Sequence, residues 1–447
     1  MTDARIREVK TSCEDYLYRT PYKFGGNTVD RVTLLNVDCV IESRTGKAAK
    51  GFGSIPLGNV WSWPSKVLTY AETLAAMKSL SDRMAKTVAQ YEEYGHPLDW
   101  NHDLEPKWLA QAVDLSKTLA QPIPKLCTLV TGSPFEAAFH DAFGKLHQRS
   151  SYEIYSADLL PADASKYLGV EGRGMRLDHY VNRVPSPTMP IYHSVGALDP
   201  LTSADIKQPI KDGLPETLPE WIRYNGINHI KIKLNGDDLA WDVDRVVSID
   251  RVNAETQKQL HSVGYVYCLD FNERARSVAY LMEFMRKLQE QTAEGFRRIQ
   301  YIEQPTARDL QGDRSNVMHQ AAKLKPVVID ESLTGLDMLL LCREMGYSGV
   351  ALKACKGQSQ AVLMAAVAQK YRMFLCVQDL TCPGASLIHS AGLAAHIPGV
   401  AGIEANARQY VPAANAPWAD RFPGIFKITG GMMRTSTLTG PGLSAVL

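Results

Sequence analysis

Eight short apolar segments recur along the second half of the chain, each separated from the next by a stretch with helical spacing. They read MPIYHSVG, HIKIKLNG, VYCLDFNE, IQYIEQP, VVIDES, GVALKAC, MFLCVQD and GVAGIEAN. Strands that alternate with helices over roughly 220 residues predict an α/β fold, a parallel (β/α)₈ barrel of the TIM type. An open doubly wound sheet is the weaker alternative, because no Gly-rich dinucleotide fingerprint follows any of these strands.

The first part of the chain has a different rhythm. Residues 6–55 are strand-like, with RVTLLNVDCVIES as the clearest run, and residues 65–147 place apolar residues at three- and four-residue intervals. This order predicts an α+β domain over residues 1–150, completed by 410–447, where GIFKIT is a weak strand that returns to it. Residues 151–187 are expected to form a connector with an insertion, and 188–409 the barrel.

Composition narrows the function. The 49 basic and 48 acidic residues nearly balance, which argues against a nucleic-acid binder or a membrane-surface protein. The sequence contains neither a secretory signal nor an apolar run long enough to span a membrane, so a cytoplasmic protein is expected. The eight cysteines lack the spacing of a zinc site or a disulfide scaffold and are expected to be reduced. Small-molecule chemistry is therefore the favoured class.

Two lysines share one face of the strand HIKIKL. Lys231 and Lys233 have the inward parity, whereas Ile230 and Ile232 have the parity that faces the helices. Mutual repulsion and desolvation should lower a lysine pKa, which predicts a base that works near neutrality. The alternative is an exposed basic edge strand.

Three successive strands each end in a carboxylate. Asp270, Glu303 and Asp330 follow apolar strands and are spaced by about one βαβ repeat. A single terminal Asp is usually a helix or turn cap. Three at the same end of a barrel predict an oxygen-rich site of the kind that magnesium prefers.

A third lysine ends the sixth strand. Lys353 has the inward parity and points into the barrel mouth opposite Lys231 and Lys233, which places an acid and a base on two faces of one substrate. Lys356, in the turn beyond, is expected to be a solvated loop charge.

The motifs KIK, LDFNE, IEQP, IDES and ALKACKG, in this order and each at a strand end, resemble those of the enolase superfamily, in particular its muconate-lactonizing and mandelate racemase-like branch. EAAFHDAFGKLH resembles the helix that ends the capping domain of that family, and GPGL its closing segment. The resemblance covers most of the chain outside the insertion at about 152–184.

The resemblance implies a function and roles. Asp270, Glu303 and Asp330 would bind Mg²⁺, and Lys233, assisted by Lys231, and Lys353 would be acid/base groups. Asn272 and Glu331 would lie beside the metal ligands. The reaction would be removal of the proton next to a substrate carboxylate to give an enediolate, for racemisation, epimerisation or cycloisomerisation of a small carboxylate. A homo-oligomer without nucleic-acid or membrane partners is expected.

The seventh strand departs from the family pattern. CVQDLTCPGAS offers Gln378 and Asp379 but no histidine, which weakens a mechanism that depends on one. An acid-sugar dehydratase stays open, because Lys353 could act as its general acid, and a non-catalytic barrel is disfavoured by the intact set of carboxylates and lysines. Glu404, at the end of the eighth strand, either orients substrate or pairs with a lysine.

Two segments of the first domain combine glycine with aromatic residues, at 22–26 and 51–63. In the family resembled, such loops lie over the barrel mouth, exclude water and set selectivity. Ordinary surface turns with a packed aromatic ring are the alternative.

Overall fold

The computed structural model describes residues 3–262 and 264–444. It begins with an antiparallel sheet in which β2 is central. The strands are β1 (Ala4–Phe24), β2 (Asn27–Ser43) and β3 (Ala48–Pro56). The helices α1 (Asn59–Ser62), α2 (Tyr70–Ala89), α3 (Pro97–Ser116) and α4 (Lys125–His147) follow. The predicted three strands and helical stretch are confirmed.

The sheet and α4 lie in unusually close contact. A Cβ atom added to Gly51 would lie 2.1 Å from the carbonyl oxygen of Ala138, and one added to Gly53 would lie 2.0 Å from that of Pro134. Only glycine lets the helix backbone approach β3 so closely. Residues 51–56 are therefore a packed strand, and the prediction of a loop over this part of 51–63 is wrong.

The barrel closes, because β11 pairs with β4 as well as with β10. Its eight parallel strands confirm the eight predicted ones. They are β4 (Thr188–Val195), β5 (His229–Lys233), β6 (Val266–Asp270), β7 (Ile299–Glu303), β8 (Val327–Ile329), β9 (Gly349–Leu352), β10 (Phe374–Val377) and β11 (Val400–Glu404).

Helices connect these strands on the outside. They are α6 (Leu218–Asn225), α7 (Leu239–Gln259), α8 (Val278–Gln291), α9 (Ala293–Arg298), α10 (His319–Leu324), α11 (Leu336–Glu344), α12 (Gln358–Lys370) and α13 (Ala385–His396). The stretch between α4 and β4, residues 148–187, holds α5 (Ser165–Leu168) and two single turns of 3₁₀ helix, Gly169–Gly172 and Leu177–His179. Among the described residues no helix is long and apolar enough to cross a membrane.

The C-terminal part contains α14 (Ala407–Tyr410), α15 (Pro412–Ala419), α16 (Pro423–Phe426) and β12 (Met432–Arg434). The predicted strand GIFKIT is wrong: Pro423 lies in the first turn of α16, a position where its fixed φ favours a helix. β12 pairs with β4 of the barrel, whereas the amide of Leu443 donates to Asp141 of α4. The domain boundaries 1–150, 151–187, 188–409 and 410–447 stay predictions.

Inside the barrel, one parity of residues forms a separate apolar layer. Its members come from six different strands: Tyr192, Cys268, Tyr301, Val328, Ala351 and Cys376. Ile230 and Ile232 belong instead to the core shared with the helices. The predicted inward parity of Lys231, Lys233 and Lys353 is therefore confirmed. All eight cysteines, which lie within the described ranges, are free thiols.

Candidate active site

The strand register places the first charged residues side by side. Lys233 of β5 pairs with Asp270 of β6, and Asp270 pairs with Glu303 of β7. Glu303 pairs in turn with Val328, two residues before Asp330. Since the strands are parallel, these side chains meet at the carboxyl end of the barrel, as the sequence predicts.

Lys231 lies at the centre of this end and is 1% exposed. Its Nζ donates to Glu303 Oε1 at 2.9 Å, Gln378 Oε1 at 2.6 Å and Glu404 Oε2 at 2.8 Å. Asp270 Oδ2 lies 3.1 Å away. Burial alone would lower the pKa of Lys231, but these carboxylates outweigh it and raise the pKa. Lys231 is therefore a fixed cation that holds the carboxylates together.

Lys233 is 5% exposed, and its Nζ donates to Asp270 Oδ2. Burial and the neighbouring Lys231 act to lower the pKa of Lys233, yet the Asp270 carboxylate prevails and the pKa is raised. The prediction of a lowered lysine pKa is therefore wrong in this state, because each lysine has a carboxylate partner that offsets their repulsion.

Lys353 occupies the opposite side of the mouth, four strands from Lys233 in the closed barrel. Its Nζ lies 2.9 Å from Asp330 Oδ2 and donates to the carbonyl oxygen of Asp379 at 3.0 Å. Lys356 is 1% exposed and donates to the backbone oxygen of Asp330 at 2.5 Å. The expectation that Lys356 is a solvated charge is wrong, since it is buried against the same aspartate.

Glu331 and Asn272 lie beside the carboxylates, as predicted. Glu331 Oε1 accepts hydrogen bonds from Asn272 Nδ2 at 3.1 Å and from the Trp61 indole at 2.9 Å. Burial raises the pKa of Glu331 to about 7. The backbone amide of Asn272 donates to Asp270 Oδ1 at 2.8 Å. Asn272 thus connects two of the three successive acidic strand ends.

The seventh-strand residues and Glu404 complete the floor. Gln378 bridges Lys231 and the hydroxyl of Tyr301, to which its amide donates at 2.6 Å. Glu404 pairs with Lys231, so one of its two expected roles is present. Burial, with the nearby Glu404, raises the pKa of Asp379 to about 7.

Aromatic residues of the first domain cover the mouth. Tyr22 forms a 2.9 Å hydrogen bond with Ser194 of β4, and the rings of Phe24 and Trp61 lie 5.8 Å and 4.2 Å from the Nζ atoms of Lys233 and Lys353. The cavity that these rings share with the two lysines measures about 30 Å³, which is room for no more than a few water molecules. A substrate therefore needs the cover to move.

Arg308 contributes to the site, although no sequence motif indicates it. Arg308, in the segment after β7, donates to the backbone oxygen of Trp61 at 3.0 Å and forms an ion pair with Glu273. It fixes the part of the first domain that reaches Lys353. Only the position of Arg308 shortly after the IEQP motif could have indicated it.

The donor set can be compared with the needs of Mg²⁺. At this end of the barrel, Glu303 Oε2, Glu331 Oε2 and Asn272 Oδ1 are buried without a hydrogen-bond partner among the described residues, and Asp330 Oδ2 has the Lys353 ammonium 2.9 Å away. Unpaired carboxylate oxygens are the ligands that Mg²⁺ prefers, so the residues fit it in kind. Within the described ranges no three His, Cys, Asp or Glu side chains are arranged to hold a metal ion. Lys231, Lys233 and Lys353 pair with the same carboxylates.

Comparisons with known proteins agree on one architecture. A family model described as enolase C-terminal domain-like matches residues 214–447, just over half of the chain. A dipeptide epimerase from Enterococcus faecalis, complexed with Mg and L-Leu-L-Tyr, has a TM-score of 0.63 at 15% identity, covering 98% of this chain and 99% of that one. The L-Ala-D/L-Glu epimerase from Bacillus subtilis has 0.63 at 17%, covering 98% of both chains.

A muconate lactonizing enzyme from Pseudomonas fluorescens, complexed with muconolactone, has a TM-score of 0.63 at 16% identity, covering 99% of this chain and 97% of that one. A comparison with curated protein sequences finds no match. At these identities the solved structures show the fold: a closed barrel with an α+β cap, which the sequence predicts.

Proposed function

The chain belongs to the enolase superfamily of enzymes by its enolase C-terminal domain-like match, and from that premise we propose that it removes the proton beside the carboxylate of a small acid. The reaction would be a racemisation, an epimerisation or a cycloisomerisation. One observation carries the proposal: Lys233 and Lys353 line one cavity from opposite sides of the barrel mouth.

Two lysines on opposite faces of a carbon atom can exchange its proton stereospecifically. One takes the proton as a base while the other, protonated, gives a proton to the opposite face. Lys231 stays charged between Glu303 and Glu404 and keeps the floor of the site fixed. The aromatic cover excludes water while the proton moves.

Asp270, Glu303 and Asp330 are the residues that would hold Mg²⁺. When bound, the ion supplies positive charge that offsets the charge developing on the substrate carboxylate. The lysines that now pair with two of these carboxylates, Lys233 and Lys353, are the same groups to which we assign proton transfer. Support for the metal and the substrate class comes from a similar structure that contains Mg and a dipeptide.

The metal assignment is tested with Glu303→Gln, which keeps the shape of the side chain and removes its charge. Isothermal titration with MgCl₂ should show binding by the parent and by the control Glu294→Gln, on the exposed surface of α9, and at least 10-fold weaker binding by Glu303→Gln. Equal Mg²⁺ binding by all three proteins would remove Glu303 from the ligand set.

The reaction is tested by incubating the protein and Mg²⁺ in deuterated water with dipeptides, N-acylated amino acids, muconates and acid sugars. Exchange at the carbon beside the carboxylate, detected by NMR, supports the proposal. Loss of water from an acid sugar would show a dehydratase instead. The cytoplasmic location and the homo-oligomer stay predictions from the sequence.

A further inference from the structure

The carboxyl group of Glu136, in the first domain, contacts the helix that follows Lys353 in the barrel. Glu136 lies in the middle of α4 and is 3% exposed. Its Oε2 accepts a hydrogen bond of 2.9 Å from the amide of Ser359, in the first turn of α12. The first amides of a helix lack partners within the helix, and a carboxyl group placed there is favourable.

The residue that normally provides such a cap cannot do so here. Gly357 precedes α12 and has no side chain to accept a hydrogen bond. Its φ is +112°, and a Cβ added to it would lie 2.1 Å from Glu136 Oε1. The side chain of any other residue at 357 would displace Glu136. Because residue 357 is glycine, the carboxyl group of Glu136 occupies this space and caps α12.

The capped helix is joined to Lys353 by a single tight turn. A 3₁₀ helix, Ala354–Lys356, links β9 to α12, and the amide of Lys356 donates to the backbone oxygen of Lys353 at 3.1 Å. The amide of Gly357 donates to Ala354 at 3.0 Å. Because these two hydrogen bonds join the start of α12 to the end of β9, a displacement of the start of α12 is passed on to the backbone of Lys353.

We propose that Glu136 is a positioning residue for Lys353: it anchors the start of α12 and so fixes the turn from which Lys353 reaches the substrate. The role rests on the proposed function, which makes Lys353 an acid/base group. Glu136 is not among the residues that line the cavity, so we assign its effect to the turn. Through α4 the first domain thereby reaches the backbone of Lys353.

The ionisable neighbours of Glu136 are compatible with an uncharged carboxyl group. Burial raises the pKa of Glu136 to about 8. The hydrogen bond from Ser359 acts in the opposite direction, and the nearby Glu105 adds a smaller increase. Burial lowers the pKa of His140 to about 4 and raises that of Tyr155 above its usual range, so both are neutral at pH 7. A neutral acid still accepts from the Ser359 amide, as glutamine does.

The experiment compares Glu136→Ala and Glu136→Gln in the full chain with Mg²⁺. Solvent deuterium entering each stereoisomer of an active substrate reports the two lysines separately. Glu136→Ala should slow the exchange that depends on Lys353 about 10- to 100-fold, as expected for a group displaced by about 1 Å, and leave the exchange that depends on Lys233 within about twofold. Glu136→Gln should retain most of both.

Ser133→Ala is the matched control, because Ser133 is buried in α4 and donates only to Val130 of the same helix. Should Glu136→Ala fail to fold, Glu136→Leu fills a similar volume and removes the acceptor of the same hydrogen bond. An equal fall of both exchange rates, or no fall of either, would overturn the proposal.

A second measurement does not depend on catalysis. Amide hydrogen exchange of the peptide covering residues 354–360 should be faster in Glu136→Ala and close to the parent in Glu136→Gln and Ser133→Ala. Unchanged protection of this peptide overturns the positioning role. A parent that exchanges no substrate proton at all, with the peptide deprotected in Glu136→Ala, would overturn the proposed function and with it the role towards Lys353, while leaving the anchor of α12 established.

Discussion

Replacing Lys231 with Met should destabilise the protein strongly. The substitution keeps an unbranched side chain, one atom shorter, and removes the ammonium group that pairs with both Glu303 and Glu404, at 2.9 and 2.8 Å. Both carboxylates are at most 1% exposed, so each is left buried without a cation. Breaking such a buried pair costs about 3–5 kcal/mol.

Urea unfolding, followed by tryptophan fluorescence and circular dichroism in EDTA, measures this loss. Lys287→Met, on the half-exposed face of α8, is the control and should change the free energy of unfolding by less than about 0.5 kcal/mol. Added Mg²⁺ should restore part of the loss in Lys231→Met, because a ligand that binds only the folded state stabilises it. A Lys231→Met protein as stable as the parent in EDTA would refute the reasoning.

Three further outcomes are expected. Gly53→Ala should lower Tm and cost at least about 2 kcal/mol, because its Cβ would lie 2.0 Å from the backbone oxygen of Pro134; an unchanged melting curve would contradict the close packing of β3 on α4. Trp61→Phe, which removes the 2.9 Å bond to buried Glu331, should lower the free energy of unfolding by about 1–3 kcal/mol and kcat about 10-fold, and unaltered kcat would show that the bond is dispensable for the reaction. Burial raises the pKa of Glu136 to about 8, so between about pH 5 and pH 8 the folded state keeps a proton that the unfolded state releases near pH 4.5. The free energy of unfolding should therefore fall as pH rises through this range, by at most about 1.4 kcal/mol per pH unit. Urea unfolding of Glu136→Gln should lack this pH dependence, and the same slope in both proteins would contradict the raised pKa.

The parts of the site that the sequence predicts are those that depend on local periodicity. Alternation along HIKIKL determines that Lys231 and Lys233 face inward, and the repeat length places Asp270 and Glu303 at one level, where the register puts them side by side. Closure of the barrel then brings Lys353 opposite. Each of these follows from strand spacing and a known architecture.

The errors arise where a long-range partner decides the outcome. Lys356 resembles a loop charge in sequence. In the structure it is buried, and its Nζ donates a hydrogen bond to the backbone oxygen of Asp330, which follows the preceding strand. The pKa of Lys233 is raised because Asp270 of the next strand pairs with it. The sequence around Lys233 shows only the neighbouring Lys231, which would lower that pKa. In GIFKIT the apolar pattern favours a strand, whereas Pro423 begins a helix.

Solvent deuterium exchange by Lys233→Ala and Lys353→Ala tests the central proposal most directly. On a racemase or epimerase substrate, Lys233→Ala should stop deuterium entering one stereoisomer while the other still exchanges, and Lys353→Ala should give the reverse, because each lysine serves one face. A dehydratase would lose elimination without this mirror-image pattern. If both variants exchange and isomerise the substrate at the rate of the parent, neither lysine transfers the proton, and the assignment of Lys233 and Lys353 is contradicted even if Mg²⁺ binds as proposed.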